Sequence, residues 1–301
     1  MSSGRKLREL LTGPRALVVP GVPNALIARV AEETGFPAVF FTGAGFANLE
    51  FGFPDLGLTT MTEVVEQVGR IVEAVEIPVL VDADTGYGNA LNVRRTVREL
   101  ERAGAAAIML EDQVFPKRCG HFEGKEVVGV QEMKSKIAAA VEARRDPDTV
   151  ILARTDARQG YGFEEAIGRA IAYAEAGADV TFVEAPLSVE ELAAIPPRVP
   201  VPQMANMVEG GKTPILPAGR LEEMGFKLII YANAALRAAV RGAQHVLAAL
   251  ARDGSTEKVL QDMVTWEERQ RLVRLPQYVE LELRYATEES GGSQWRHSQS
   301  L

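Results

Sequence analysis

Eight short apolar runs, rich in Val, Ile, Leu and Phe, recur along the chain. Each run is too short for a helix and apolar almost throughout, which is typical of a parallel strand buried on both faces. We therefore predict eight parallel strands. The runs occupy residues 16–22, 38–43, 78–84, 106–112, 149–156, 180–186, 201–207 and 227–233.

Segments between the runs have the periodicity of amphipathic helices, and this alternation predicts an α/β fold, a (β/α)₈ TIM-type barrel. An open doubly wound sheet is the alternative, but no G-x-G-x-x-G opens a helix after the first strand. A glycine able to end a helix in the left-handed conformation precedes every second strand: Gly35, Gly104, Gly177 and Gly225. In segment 89–104 four apolar residues are expected on one helical face: Leu91, Val93, Val97 and Leu100.

The chain continues for about seventy residues past the last predicted strand, which is more than one barrel helix requires. Segments 233–254 and 265–286 read as extra C-terminal helices that either contact another subunit or cover the barrel floor. The polar residues 286–301 are expected to be disordered. We predict a single domain over residues 1–285 followed by this tail.

Composition and charge narrow the class of protein. Hydrophobic residues make up 47% and charged residues 25%, and the net charge of −8 argues against nucleic acid or an anionic membrane as partner. The single cysteine cannot form an internal disulfide. No secretory signal or apolar run of about 18 residues is present. These features predict a cytoplasmic protein.

Polar side chains stand at the carboxyl ends of the predicted strands, which converge on one mouth of a barrel. Carboxylates this close repel one another unless a cation lies among them, and oxygen ligands favour Mg²⁺, with Mn²⁺ as the alternative. Asp84 is the expected direct ligand, while Asp82 and Glu111 bind directly or through water. Arg154 supplies a cation for a substrate carboxylate. The residues expected in this cup are Asp82, Asp84, Glu111, Arg154, Asp156, Glu184 and Asn206.

The lone cysteine lies in "PKRCGH", between basic residues. Lys117, Arg118 and His121 would favour the thiolate form of Cys119, and Gly120 would let the backbone approach a ligand closely. Inert packing is the alternative for a lone cysteine. Its place in a glycine-containing loop beside a candidate metal cup favours a reactive thiol.

The motifs "KRCGH", "VDADTGYG", "LEDQ", "ARTDA" and "EGGKTP", in this order, resemble the isocitrate lyase / phosphoenolpyruvate mutase superfamily over roughly residues 5–285. Within it, the chain looks most like the short 2-methylisocitrate and 2,3-dimethylmalate lyases. The resemblance implies Mg²⁺-dependent cleavage of the carbon–carbon bond of a 2-hydroxy acid. It also implies a homotetramer whose C-terminal helices swap between barrels.

The resemblance further implies roles for individual residues. Metal binding falls to Asp84, Asp82 and Glu111, with Asp55 closing near them. Cys119 is the acid that protonates the carbanion-like product, and residues 117–124 form a lid. The remaining assignments are Lys117, His121 and Arg154 in catalysis, and Thr42, Gly43, Ala44, Gly120, Arg154, Glu184 and Asn206 in substrate binding.

Departures from the family pattern leave the substrate open. Phe40 stands where a tyrosine is common, Met109 where a histidine is common, and Thr42 where serine is usual. Oxaloacetate hydrolysis or decarboxylation is the main alternative activity. Phosphonate chemistry is disfavoured because the mutases lack the cysteine of "KRCGH", and a non-catalytic binder is disfavoured by the intact cup and thiol.

Overall fold

Eight parallel strands close into a barrel, with β1 paired to both β2 and β8. The structure, a computed structural model, describes residues 1–120 and 124–286. The predicted TIM-type barrel is therefore confirmed. Its strands are β1 Leu17–Val22, β2 Val39–Phe41, β3 Val79–Asp82, β4 Ala107–Glu111, β5 Val150–Thr155, β6 Val180–Val183, β7 Gln203–Asn206 and β8 Leu228–Tyr231.

Helices follow the strands as the sequence pattern predicts, and the glycines that precede the even strands all have positive φ, for example 94° at Gly104 and 100° at Gly225. The helices are α1 Ser3–Thr12, α2 Ala25–Glu33, α3 Gly43–Phe51, α4 Met61–Ala74, α5 Ala90–Arg102, α6 Val130–Ala143, α7 Ala157–Tyr161, α8 Phe163–Glu175, α9 Val189–Ala194, α10 Ala218–Met224, α11 Ala234–Asp253, a 3₁₀ helix Glu257–Asp262, α12 Trp266–Leu272 and α13 Leu275–Tyr285.

Side chains inside the barrel form a core that α1 closes at one end. Leu7 and Leu11 of α1 join the inward-facing strand residues in a single apolar cluster. The backbone at Gly4 lies directly against Asp148 and Thr149, at the start of β5. Helix α1 therefore covers the amino ends of the strands, and the carboxyl ends remain open for a site.

One detail of the predicted helix faces is wrong. Val93, Val97 and Leu100 of α5 are fully buried, but Leu91 is 76% exposed. Residues 91 and 93 are about 200° apart around a helix of 3.6 residues per turn. Leu91 therefore lies on the side of α5 opposite the buried stripe.

Two compact units divide the chain between residues 239 and 240. The first contains the eight strands and α1–α10. The second contains most of α11, the 3₁₀ helix, α12 and α13, so the predicted C-terminal helices are present. The single domain over residues 1–285 stays a prediction, and residues 287–301 of the predicted tail lie outside the described residues. In the described ranges, no helix combines the length and apolar character needed to cross a membrane.

Candidate active site

A cavity of about 240 Å³ opens at the carboxyl ends of the strands, within the first unit. Phe40, Met109 and Phe182 form apolar parts of its wall, with the Arg154 guanidinium 5.6 Å from the centre of the Phe182 ring. Most residues that the sequence singled out also line it: Thr42, Ala44, Asp55, Asp82, Lys117, Cys119, Gly120, Arg154, Glu184 and Asn206.

Two carboxylates at the end of β3 face the start of α3. A Cβ built on Gly43 would stand 3.3 Å from Oδ2 of Asp82 and 3.5 Å from Oδ1 of Asp84. Asp84 has a positive φ of 47°, and its N–H donates to Oδ1 of Asp82 at 3.2 Å. Gly43 thus leaves room beside both carboxylates, because any larger residue would fill the space between them and α3.

Burial makes this cup unfavourable for negative charge. It raises the pKa of Asp82 to about 6, and the neighbouring Asp84 adds to the rise. Burial also raises the pKa of Glu111 well above its ordinary value, although Arg154 opposes the shift. The protein alone therefore does not fully compensate the charge of the cup, as expected of a site that receives a cation.

Lys117 supplies the nearest compensating charge. Its buried ammonium forms an ion pair with Asp55 and lies 2.8 Å from Oδ1 of Asp84, without the alignment of a hydrogen bond. Burial alone would lower the pKa of Lys117, but Asp84 and Asp55 outweigh it and raise that pKa well above its ordinary value. Lys117 is therefore protonated and joins the loop after β4 to the acidic cup.

Arg154, near the end of β5, is held by a fork of two hydrogen bonds. Its Nε and Nη2 donate to the two oxygens of Asp156 at 2.8 and 3.0 Å. The same guanidinium lies 3.4 Å from Glu111 and 3.4 Å from Glu184. This arrangement fixes a cation in the cavity wall, where it can bind a substrate carboxylate.

The loop after β4 carries the thiol to the same cavity. Cys119 is half-buried and lines the cavity wall. A Cβ on Gly120 would stand 2.3 Å from Nη2 of Arg154 and 2.7 Å from Cγ of Glu184, so only glycine fits. Gln113 exchanges two hydrogen bonds with the backbone of Arg118, at 2.8 and 2.9 Å. His121, the remaining predicted catalytic residue, lies outside the described residues.

Four predicted residues lie beside the cavity rather than in its lining: Gly43, Asp84, Glu111 and Asp156. Sequence reasoning left other lining residues without a role, namely Val208, Glu209, Gly210, Gly211 and Asn233. The glycine pair of "EGGKTP" was the sequence feature that could have indicated a role for residues 208–211. In the described part of the chain, Oδ1 of Asn206 and Oδ1 of Asn233 are buried and have no hydrogen-bond partner.

The donor set is compatible with a hard divalent cation. Across residues 1–120 and 124–286, no group of three or more His, Cys, Asp or Glu side chains converges as a complete metal centre. Mg²⁺ does not require one, because it binds through one or two carboxylates plus waters and substrate oxygens. Among the described residues, Asp84 Oδ1 and Glu111 Oε1 are buried and accept no hydrogen bond. Such oxygens suit Mg²⁺.

Comparison with known proteins identifies the family. The family model described as phosphoenolpyruvate phosphomutase matches residues 7–251. The chain belongs to the phosphoenolpyruvate mutase/isocitrate lyase superfamily. The resemblance noted from the motifs is thereby confirmed.

Similar proteins in this superfamily include named lyases. The 2,3-dimethylmalate lyase of Eubacterium barkeri is 47% identical over 287 residues, covering 95% of this chain and 99% of the relative. The 2-methylisocitrate lyase of Aeropyrum pernix is 46% identical over 262 residues, covering 87% of this chain and 84% of the relative. A solved structure of 2,3-dimethylmalate lyase covers 97% of this chain and 98% of its own, with 37% identity and a TM-score of 0.90. The prediction of a lyase-like enzyme is confirmed.

Two further structures of similar proteins contain ligands. Oxaloacetate acetylhydrolase with 3,3-difluorooxalacetate is 36% identical, with a TM-score of 0.89 and coverage of 93% of this chain and 96% of that chain. Phosphonopyruvate hydrolase with oxalate and Mg²⁺ is 34% identical, with a TM-score of 0.85 and coverage of 95% and 99%. Superfamily members therefore act on small carboxylates, and at least one binds Mg²⁺.

Proposed function

We propose that this enzyme is a Mg²⁺-dependent lyase that cleaves a 2-hydroxy di- or tricarboxylate of the 2,3-dimethylmalate or 2-methylisocitrate type. Retro-aldol cleavage would give pyruvate and a second carboxylate, propionate or succinate. One observation carries the proposal: the lone thiol and the Asp82–Asp84 pair border the same cavity, beside a fixed arginine.

Substrate binding relies on the cation in the cavity wall and on the start of α3. Arg154, oriented by Asp156, binds one carboxylate of the substrate. The backbone N–H groups at Thr42, Gly43 and Ala44 lie where α3 begins, and the N-terminus of a helix favours negative charge. Glu184 and Asn206 complete the polar wall and distinguish the hydroxyl-bearing part of the substrate from its apolar groups.

Asp84 would hold the metal directly, with Asp82 and Glu111 acting through water and Asp55 nearby. When bound, Mg²⁺, or Mn²⁺ as the alternative, supplies Lewis-acid stabilisation of negative charge on the substrate's hydroxyl and carboxylate oxygens. The protein itself supplies the buried carboxylates, the room beside Gly43 and the protonated Lys117, which balances Asp55 and Asp84.

Protonation of the second fragment falls to Cys119. The substrate hydroxyl releases its proton to solvent, and breakage of the carbon–carbon bond turns the hydroxyl-bearing carbon into the carbonyl of pyruvate. The electron pair of the broken bond stays on the carbon next to the second carboxylate. The thiol of Cys119 donates a proton to that carbon and is later reprotonated from solvent, so the reaction consumes no other reagent. Gly120 lies directly against Arg154 and Glu184, and such close packing would limit the access of water to the carbanion.

Hydrolysis or decarboxylation of oxaloacetate is the second candidate, because oxaloacetate acetylhydrolase is similar over 93% of this chain. Both activities require a metal and a carboxylate site, so the residues described do not separate them. Phosphonate chemistry, the third candidate, is disfavoured because the mutases lack the cysteine of "KRCGH".

Assembly and location are also proposals. Large apolar side chains are exposed throughout the C-terminal unit, which is the expected surface of a homotetramer with swapped C-terminal helices. A cytoplasmic location agrees with the single cysteine. Examples of these exposed residues, each at least 55% exposed, are Leu247, Leu260, Val264, Trp266, Tyr278 and Tyr285.

A substrate screen tests the proposed activity. Purified enzyme is incubated with Mg²⁺ and, separately, 2,3-dimethylmalate, 2-methylisocitrate, isocitrate and oxaloacetate, and products are identified by mass spectrometry. We expect pyruvate with propionate or succinate from one of the first two acids, no reaction in EDTA, and recovery on adding Mg²⁺. Oxalate or bare pyruvate from oxaloacetate alone, or turnover under thorough chelation, would contradict the proposal.

A further inference from the structure

A single buried carboxylate is shared by two cations at the edge of the candidate active site. Asp156 accepts the two hydrogen bonds from Arg154, at 2.8 and 3.0 Å, and a third from Nζ of Lys125 at 2.7 Å. The side chains of Asp156 and Lys125 are 0% and 2% exposed. Burial alone would raise the pKa of Asp156, but the two cations outweigh it and hold that pKa well below its ordinary value.

Asp156 is itself anchored to the barrel wall. Its backbone N–H donates to Oδ1 of Asp112 at 2.9 Å. The other oxygen of Asp112 accepts from Thr155 Oγ1 and Tyr173 OH, both at 2.7 Å. Because Asp112 and Thr155 belong to the ends of neighbouring strands and Tyr173 to α8, the position of Asp156 is set by rigid elements.

Lys125 extends this anchor to the loop that carries the thiol. Besides its bond to Asp156, its ammonium donates to the carbonyl oxygen of Gly120. The Cα of Gly120 also packs against Arg154, because a Cβ built on it would stand only 2.3 Å from Nη2. Gly120, Lys125, Asp156 and Arg154 therefore form a closed ring of contacts next to Cys119.

We propose that Lys125 and Asp156 are a positioning pair that holds the Cys119–Gly120 backbone on Arg154 and so places the thiol for proton transfer. The proposal rests on the proposed function only in the role given to the thiol. Lys125 does not line the cavity and is not a catalytic residue. Its loss leaves the Gly120 carbonyl without this donor and Asp156 with one cation, which frees the loop to move.

The test replaces Lys125 by Met, an unbranched side chain one atom shorter, which removes the charge and the donors. Steady-state kinetics and alkylation of Cys119 by iodoacetamide, without substrate, are measured on the same preparations. Since Cys119 is the only cysteine of the chain, alkylation reports on this thiol alone. The matched control is Lys227→Met, which removes a lysine that donates to the Gly13 carbonyl at 3.1 Å, far along the chain from the thiol.

We expect kcat to fall by about 100-fold, the loss typical of a displacement near 1 Å, while KM changes by less than about threefold. Alkylation should accelerate on the order of tenfold as the thiol becomes more accessible. Lys227→Met should leave kcat, KM and the alkylation rate unchanged. If Lys125 only stabilised the fold, Lys125→Met would lower the melting temperature but would not change the alkylation rate measured well below that temperature.

Unchanged alkylation and unchanged kcat in folded Lys125→Met would overturn the proposal. Should that variant fail to fold, Lys125→Leu, which also removes the charge and the donors, is measured in its place by the same criteria; failure of both to fold would assign Lys125 to stability and also overturn the proposal. The alkylation rate does not depend on the substrate. It therefore still reports on thiol placement if the screen finds no lyase activity.

Discussion

Replacing Asp82 by Asn should stabilise the metal-free enzyme at neutral and alkaline pH. Asp82 is buried at the end of β3, where its Oδ1 accepts a hydrogen bond from the N–H of Asp84. This hydrogen bond survives in the variant, since the amide oxygen of Asn also accepts. The substitution is nearly isosteric and removes one negative charge from the cup. It tests whether the negative charge of the cup destabilises the folded protein when no cation is bound.

The size of the effect follows from the pKa of Asp82, which burial and Asp84 raise from 3.8 to about 6. A raised pKa means that the folded protein binds the proton more tightly than the unfolded chain does. Each tenfold change in this affinity is worth about 1.4 kcal/mol, so the ionised group costs roughly 3 kcal/mol. The cost is absent below the unfolded value of 3.8 and complete above pH 6 or so.

The assay is urea unfolding in EDTA at pH 8 and at pH 4, followed by circular dichroism at one fixed protein concentration. We expect the free energy of unfolding of Asp82→Asn to exceed that of the wild type by about 3 kcal/mol at pH 8 and by less than about 1 kcal/mol at pH 4. Added Mg²⁺ should narrow the difference at pH 8 by stabilising the wild type more. The control is Asp148→Asn, a carboxylate at the amino end of β5 and outside the cup.

Equal stabilities of wild type and Asp82→Asn at pH 8 would refute the reasoning, as would a variant less stable than the wild type there. Either result would show that Lys117 and Arg154 already balance the cup. The argument for a cation at this site would then lose its electrostatic basis.

Three further substitutions follow from the same geometry. Cys119→Ser should lower kcat by at least about 100-fold, while the Mg²⁺ dissociation constant measured by calorimetry stays unchanged; wild-type rates would remove the thiol from the mechanism. Gly120→Ala should cost about 100-fold in kcat with little change in melting temperature, because its Cβ would collide with Arg154, and full activity would show that the loop sits elsewhere. Asp112→Ala should destabilise the protein by about 3–5 kcal/mol in urea unfolding, because it strips buried Arg169, Tyr173 and Thr155 of a shared acceptor; a loss below about 1 kcal/mol would contradict that.

Much of the barrel and its mouth was predictable because each feature has a local signal. A strand buried on both faces leaves a continuous apolar run, and its polar end marks the rim. The residues Asp82, Arg154 and Glu184 line one cavity, as those polar strand ends predicted. Leu91 is an exception, because its apolar side chain lies about 200° around the helix from Val93 and so falls outside the buried face.

The partners of the site's charges were not predictable, because they are set by packing between distant segments. Lys125 pairs with Asp156, which is 31 residues away, and Lys117 pairs with Asp55, which is 62 residues away. The sequence predicted Asp156 as a member of the cup, but in the structure it is the counterion of Arg154 and Lys125. Asp112, the third residue of "LED", follows the predicted metal ligand Glu111. Its carboxylate accepts hydrogen bonds from residues of β5 and α8 and so fixes the barrel wall next to the site.

Cleavage in D₂O tests the central claim most directly. The enzyme is incubated with Mg²⁺ and either 2,3-dimethylmalate or 2-methylisocitrate, and the products are analysed by nuclear magnetic resonance and mass spectrometry. One of these acids should yield pyruvate together with propionate or succinate that carries a single deuterium on the carbon released by bond breakage. Recovery of both acids intact, under conditions where the same preparation consumes oxaloacetate, would contradict carbon–carbon lyase activity with protonation of the leaving fragment.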